Sequence, residues 1–156
     1  MKKILLALDP SPQSQRAAVT VAEVVRHLPS CEVLLAVISQ CPPDLRPPLA
    51  DVQLPMAGEV HGDVDALAEL AEGQVLLREI SLLFLQRGVA AERVRRILQP
   101  KIRGVARDLL DLAASEDCDT IVVGRRDLSK VQSLLLGSVS TAIVQNAVGR
   151  SVWVVE

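Results

Sequence analysis

Two textures alternate along this 156-residue chain: short unbroken apolar runs, and longer stretches in which apolar residues return every three or four positions. The runs are "KILLALD" (3–9), "EVLLAVIS" (32–39), "DTIVVG" (119–124) and "RSVWVVE" (150–156). Each has strand length, and the first two, apolar at consecutive positions, carry the signature of a strand covered on both faces. "VAAERVRRIL" (89–98) carries branched residues but also charge, which predicts a strand at a sheet edge. The helical texture covers 11–28, where Ser11 is placed to cap, Pro12 takes the first helical position, and Ala18, Val21, Ala22 and Val25 form a stripe.

A second helix is expected over 63–88, with Gly88 as its C-terminal cap. Gly73 inside it disfavours helix by about 1 kcal/mol relative to alanine, enough to allow a break. A third is expected over 100–118, opened by Pro100 and lined by Ile102, Val105, Ala106, Leu109 and Leu112, and a fourth over 138–148. Between Gln40 and Gly62 the prolines at 42, 43, 47, 48 and 55 forbid regular structure, which predicts a long surface loop. Strand and helix otherwise alternate from end to end. That order predicts one α/β domain over 1–156: an open, mostly parallel five-stranded sheet with helices on both faces.

Composition agrees. Phe84 and Trp153 are the only aromatics, so the core is built from Val, Leu, Ile and Ala. A net charge of −2 gives no global attraction to nucleic acid or to an anionic membrane. Cys31, Cys41 and Cys118 lack metal or redox spacing and read as reduced thiols of a cytoplasmic protein. The apolar run after Lys2 and Lys3 is too short for a signal peptide, and no run approaches the roughly 18 residues of a membrane span.

In an open α/β sheet, ligands sit beyond the carboxyl ends of the strands where the strand order reverses. Asp9 ends the first run, Val37 lies near the end of the second, and Gly124 closes the fourth. Gly137 and Ser138 then open the last helix, offering free N–H groups, a hydroxyl and the positive end of a helix dipole. Those are the parts of a phosphate site. They are equally the parts of an ordinary helix cap with two turn glycines.

The order of elements, the aspartate after the first strand, "IVVG" and especially "LLLGSVS" resemble the universal stress protein family. Its ATP-binding members carry glycine, two residues, glycine, nine residues, then glycine with serine or threonine. On this chain Gly124 matches the first glycine, Asp127 stands where the second would be, and Gly137-Ser138 matches the closing pair. The resemblance implies a Rossmann-like sheet of order 3-2-1-4-5 and a homodimer joined through the last strand, 151–156. It also implies ATP or AMP as ligand. Asp9 would then lie near adenine and ribose, Val37 would line the adenine pocket, and Gly137, Ser138 and Val139 would hold phosphate.

Asp127 departs from that pattern. A carboxylate about 5 Å from a phosphate charge costs roughly 3 kcal/mol at an effective dielectric near 20, more than a hundredfold in affinity. Arg125 and Arg126 pairing with it, a magnesium ion bridging it to phosphate, or a side chain turned to water would each offset this. The other reading is a dimeric interaction protein of the same family that has lost ATP through Asp127. The intact Gly137-Ser138 pair favours retained, weakened nucleotide binding. Hydrolysis is not implied, and a weak ATPase has only the family behind it.

Other candidates carry less. His27, near the end of the first helix, suits a dipole cap; His61 lies in the proline-rich loop. Neither has metal-ligand spacing, and no nucleophile-elbow motif occurs. Arg93, Arg95, Arg96, Lys101, Arg103 and Arg107 concentrate positive charge, but without stacking aromatics they read as a solvated face rather than a nucleic-acid surface.

Overall fold

The computed structural model describes residues 2–40, 64–125 and 137–156, with the side chains of 64–67 left aside. Strands β1 (Lys3–Ala7), β2 (Glu32–Ser39), β3 (Val94–Pro100), β4 (Thr120–Gly124) and β5 (Ser151–Val155) alternate with helices α1 (Pro12–Val25), α2 (Val64–Gln86), α3 (Val105–Ser115) and α4 (Ser138–Asn146). The sheet order is β3-β2-β1-β4-β5 and every pairing is parallel. The proline-rich loop, Cys41 and His61 lie outside the described residues, apart from Gln40.

The double periodicity of the sequence becomes two cores. Ile4, Leu6, Val33, Leu35, Val37 and Val122 face one way, against Ala18, Val21 and Val25 of α1 and Leu77, Ile80 and Phe84 of α2. Leu5, Leu34, Ala36, Ile121 and Val123 face the other way, against Leu109, Leu112 and Ala113 of α3 and Ile143 of α4. Alternate residues of one strand point to opposite faces. The central strands therefore have no polar side, which is why they read as unbroken apolar runs. Trp153 packs, partly buried, against the α1/α2 core.

Several details depart from expectation. α2 runs unbroken through Gly73, because Gly73 is a contact point: a Cβ there would stand 2.9 Å from Leu98 Cδ1 and 3.4 Å from Val37 Cγ1. Glycine lets the helix lie closer to β2 and β3. Pro100 does not open α3. It ends edge strand β3, opposite Ser39, where a missing N–H is tolerated. α3 begins five residues later, so Ile102 lies outside its stripe and is exposed. The turn between is closed by buried Asp108, whose carboxylate accepts from Ile102 N (2.8 Å) and Arg103 N (3.0 Å).

Helix ends follow local rules. Gly88, at φ +83°, closes α2, with Gly88 N donating to Leu85 O and Val89 N to Phe84 O. The end of α3 repeats this geometry without a glycine. Asp117 holds φ +57°, its N–H bonds Ala114 O, and Cys118 N bonds Ala113 O at 2.9 Å. Asp117→Gly is therefore expected to stabilise the fold by about 1 kcal/mol, by relieving left-handed strain at an exposed position. Urea denaturation checks this; an unchanged midpoint would show that Asp117 is unstrained.

Arginines close the crossovers at the amino ends of the strands. Arg93, in a 3-10 turn before β3, donates from Nε to Cys31 O (2.9 Å). Its Nη2 donates to Val25 O (3.0 Å), Leu28 O (2.6 Å) and Cys31 O (2.7 Å). It thus caps the carboxyl end of α1, the role the sequence suggested for His27. The His27 ring instead accepts from Arg26 Nε at 3.1 Å, in solvent. Arg93 is also not part of a solvated basic face, although Arg95 and Arg96 are exposed. Arg150 acts similarly on the α3–β4 turn, with Nε to Cys118 O at 2.9 Å.

Glu116 accepts from Arg95 and Lys3, each at 2.7 Å, and these bonds hold its carboxyl below the ordinary value. Burial pushes the Cys118 thiol up to about 11 and also raises Cys31. Both are free, buried and not poised as nucleophiles. Among the described residues no helix is long and apolar enough to cross a membrane.

Candidate functional site

β1 and β4 are neighbours at the centre of the sheet, and from them the chain order runs outward in opposite directions. The crevice beyond their carboxyl ends is where such a sheet accepts ligands. Asp9 follows β1 there, and Gly124 ends β4 there.

The turn after β1 is tightly bonded. Asp9 Oδ1 accepts from Ser11 N (3.0 Å) and from the Ser11 hydroxyl. Ser11, the N-cap of α1, accepts from Ser14 N (3.2 Å), and Ser14 Oγ accepts from Asp9 N (3.1 Å). This reciprocal arrangement resembles a capping box with serine at both ends. It fixes the exposed Asp9 at the mouth of the crevice, with Oδ2 free of donors among the described residues.

Gly124 packs against that same turn. A Cβ on Gly124 would lie 2.9 Å from both Gln13 C and Ser14 N, and 3.0 Å from Gln13 O. The glycine thus admits the backbone of α1 itself. Its carbonyl in turn accepts from Ser140 Oγ at 3.1 Å, in the first turn of α4. A continuous set of contacts links Asp9, Ser14, Gly124 and Ser140, and brings the amino ends of two helices to one strand end.

Those two helix starts differ. α1 is closed by serine side chains. α4 has Gly137 as N-cap, with no side-chain bond, and exposed Ser138 next to it. Thr141 N already bonds Gly137 O (2.8 Å), so among the described residues the N–H groups of the first turn, at Ser138, Val139 and Ser140, have no acceptor within the helix. Half-buried Val139 packs its side chain on the α3/α4 core, which anchors the turn. The positive end of α4 therefore stands beside the crevice with amides and a hydroxyl to offer an anion.

Of the other expected residues, Val37 and Arg125 lie at the same end of the sheet, with contacts of their own. Val37 is only 8% exposed and packs into the α1/α2 core under Gly73. Arg125, half-buried, pairs its guanidinium with Glu156 and its N–H with Val155 O (2.7 Å), toward the β5 edge. Arg126 and Asp127 lie outside the described residues. Sequence reasoning missed Ser14 and Ser140, the hydroxyls that position the site. A serine three residues after Ser11 was a visible capping signal; Ser140 had none, because its partner is 16 residues away. Among the described residues no group of three or more His, Cys, Asp or Glu side chains could hold a metal ion.

Comparison with known proteins gives a consistent picture. The family model described as Universal stress protein family matches residues 1–156. No curated protein matches the chain in sequence. Among solved structures, a universal stress protein family member from Burkholderia pseudomallei superposes with a TM-score of 0.70 at 20% identity, covering 98% of this chain and 94% of that one. The universal stress protein from Archaeoglobus fulgidus in complex with dAMP gives 0.63 at 18%, covering 100% and 98%. An Arabidopsis thaliana family protein with AMP bound gives 0.63 at 16%, covering 99% and 90%. At these identities the likeness is one of fold.

Proposed function

The chain belongs to the universal stress protein family, and from that footing we propose that it is a cytoplasmic stress-response module that binds an adenine nucleotide, ATP or AMP, as a regulatory ligand. The observation that carries this reading is the amino end of α4: a glycine N-cap with no side-chain bond, held against the end of β4 by Ser140. The N–H groups of Ser138 and Val139 and the Ser138 hydroxyl would hold a phosphate. Asp9 Oδ2, which has no donor among the described residues, would accept from a ribose hydroxyl or an adenine amino group across the crevice. Nucleotide complexes of fold relatives support the choice of ligand.

The reading assigns these groups to holding a ligand and assigns no residue a step in turnover. A magnesium ion carried with ATP would offset the charge of Asp127. We further propose a homodimer through β5, an edge strand whose residues 152–155 are only half covered within one subunit.

Calorimetric titration of ligand-stripped protein with ATP and AMP, each with and without Mg²⁺, tests the proposal. Binding is expected. Ser138→Glu, which sets a carboxylate on the α4 amides, should weaken it at least about tenfold. Asp127→Gly should tighten it by up to about a hundredfold. No binding by either the parent protein or the Asp127→Gly variant overturns the nucleotide reading. Binding regained only in Asp127→Gly favours the second reading, an interaction protein that lost its ligand through that one acid.

A further inference from the structure

Helix α2 has apolar residues on the wrong side. Its inner face, with Leu76, Leu77, Ile80 and Phe84, is buried on the sheet. Its outer face should then be polar, as in α1, which turns Gln15, Arg16 and Glu23 to solvent. Instead Val75 is 55% exposed, Leu82 51% and Leu85 41%. Val75 and Leu82 are seven residues apart, so they lie one above the other on a single stripe. Between them on that stripe stand Arg78 and Glu79, both exposed and neither in an ion pair among the described residues.

That order of residues is complementary to itself. Place a second copy of α2 antiparallel, with a two-fold axis between Arg78 and Glu79. Each Arg78 then meets the other copy's Glu79, and each Val75 meets the other copy's Leu82. Leu85 falls against the aliphatic stem of the other copy's Glu72. A parallel arrangement would instead set like charges opposite one another. Two-fold symmetry requires one patch to fit itself, and this patch does.

We propose that the outer face of α2 is a self-association surface, on which two copies of this chain pack antiparallel through Val75 and Leu82 with reciprocal Arg78–Glu79 pairs. A single helix face is small for an interface, so the association is weak and depends on concentration. It lies on a different element from β5. If β5 also pairs subunits, α2 joins dimers into larger assemblies; if not, α2 makes the dimer.

Sedimentation velocity of the full chain from about 1 μM to 1 mM tests this. The average mass of the parent protein should rise with concentration, toward twice its dilute value. Arg78→Glu and Glu79→Arg, both surface changes, should each weaken the rise at least about tenfold by opposing like charges. An equimolar mixture of the two single variants should restore it. In a Cys41→Ser background, Val75→Cys mixed with Leu82→Cys should cross-link more readily than either alone. Superimposable mass curves for the parent protein and both single variants overturn the proposal. So does preferential cross-linking of Val75→Cys to itself, which marks a parallel pair.

Discussion

Replacing Arg93 with alanine is expected to lower the unfolding free energy by about 3 kcal/mol. The guanidinium donates to three carbonyls, at Val25, Leu28 and Cys31, that end α1 and lead into β2. Bonds from a charged donor are worth about 1.5–3 kcal/mol each, but they share one ordered side chain, so their sum overstates the loss. Removing the donor strips the charged bonds from the negative end of a helix, where Val25 O and Leu28 O keep only their backbone donors, Leu28 N and Cys31 N. For a domain of this size the change corresponds to a drop of about 10 °C in melting temperature. Arg93→Lys should recover no more than about half, because one ammonium cannot span three acceptors in a fixed fork. Arg96→Ala, nearby and exposed, should fall within about 0.5 kcal/mol of the parent. Urea unfolding of the three variants decides the matter: equal losses for Arg93→Ala and Arg96→Ala would mean that the bonds contribute nothing beyond general charge.

Gly124→Ala should be nearly as severe, at about 2–3 kcal/mol, and for the opposite reason. Here an atom is added where backbone already stands, 2.9 Å from Gln13 C and Ser14 N. Backbone at the first turn of α1 cannot rotate aside as a side chain would. Either β4 or α1 must shift, and α1 carries Ser11 and Ser14, which fix Asp9. The substitution should therefore weaken both the fold and the adenylate binding proposed above. Ser140→Ala offers a comparison, since it releases α4 from Gly124 O and leaves α1 in place. A Gly124→Ala protein as stable as its parent would show that the α1–β4 approach has slack. The role of Gly124 would then revert to a simple turn.

These two residues also mark how far the chain could be read before folding. Ser11, Pro12 and Gly88 did locally what their types suggest, because caps and left-handed turns depend on neighbours within about one turn of chain. Pro100 misled for an instructive reason: proline opens helices and also ends edge strands, and only the pairing of Ser39 with Pro100 separates the two. Gly73 read as weakness in a helix, yet its missing Cβ is what Leu98 and Val37 require. At the site, Gly124 and the Gly137-Ser138 pair were visible as a motif. That Gly124 receives α1 could not be seen, since its contacts come from more than a hundred residues earlier in the chain.

Alternation of short apolar runs with amphipathic stretches determined by itself the α/β class, the parallel sheet and nearly every element. Burial on two faces or on one writes its period directly into adjacent residues. The tertiary structure alone decided which arginines reach backbone carbonyls, which glycine is crowded, and which helix start has no side-chain cap. Those outcomes depend on distances between segments far apart along the chain, and no local period encodes them.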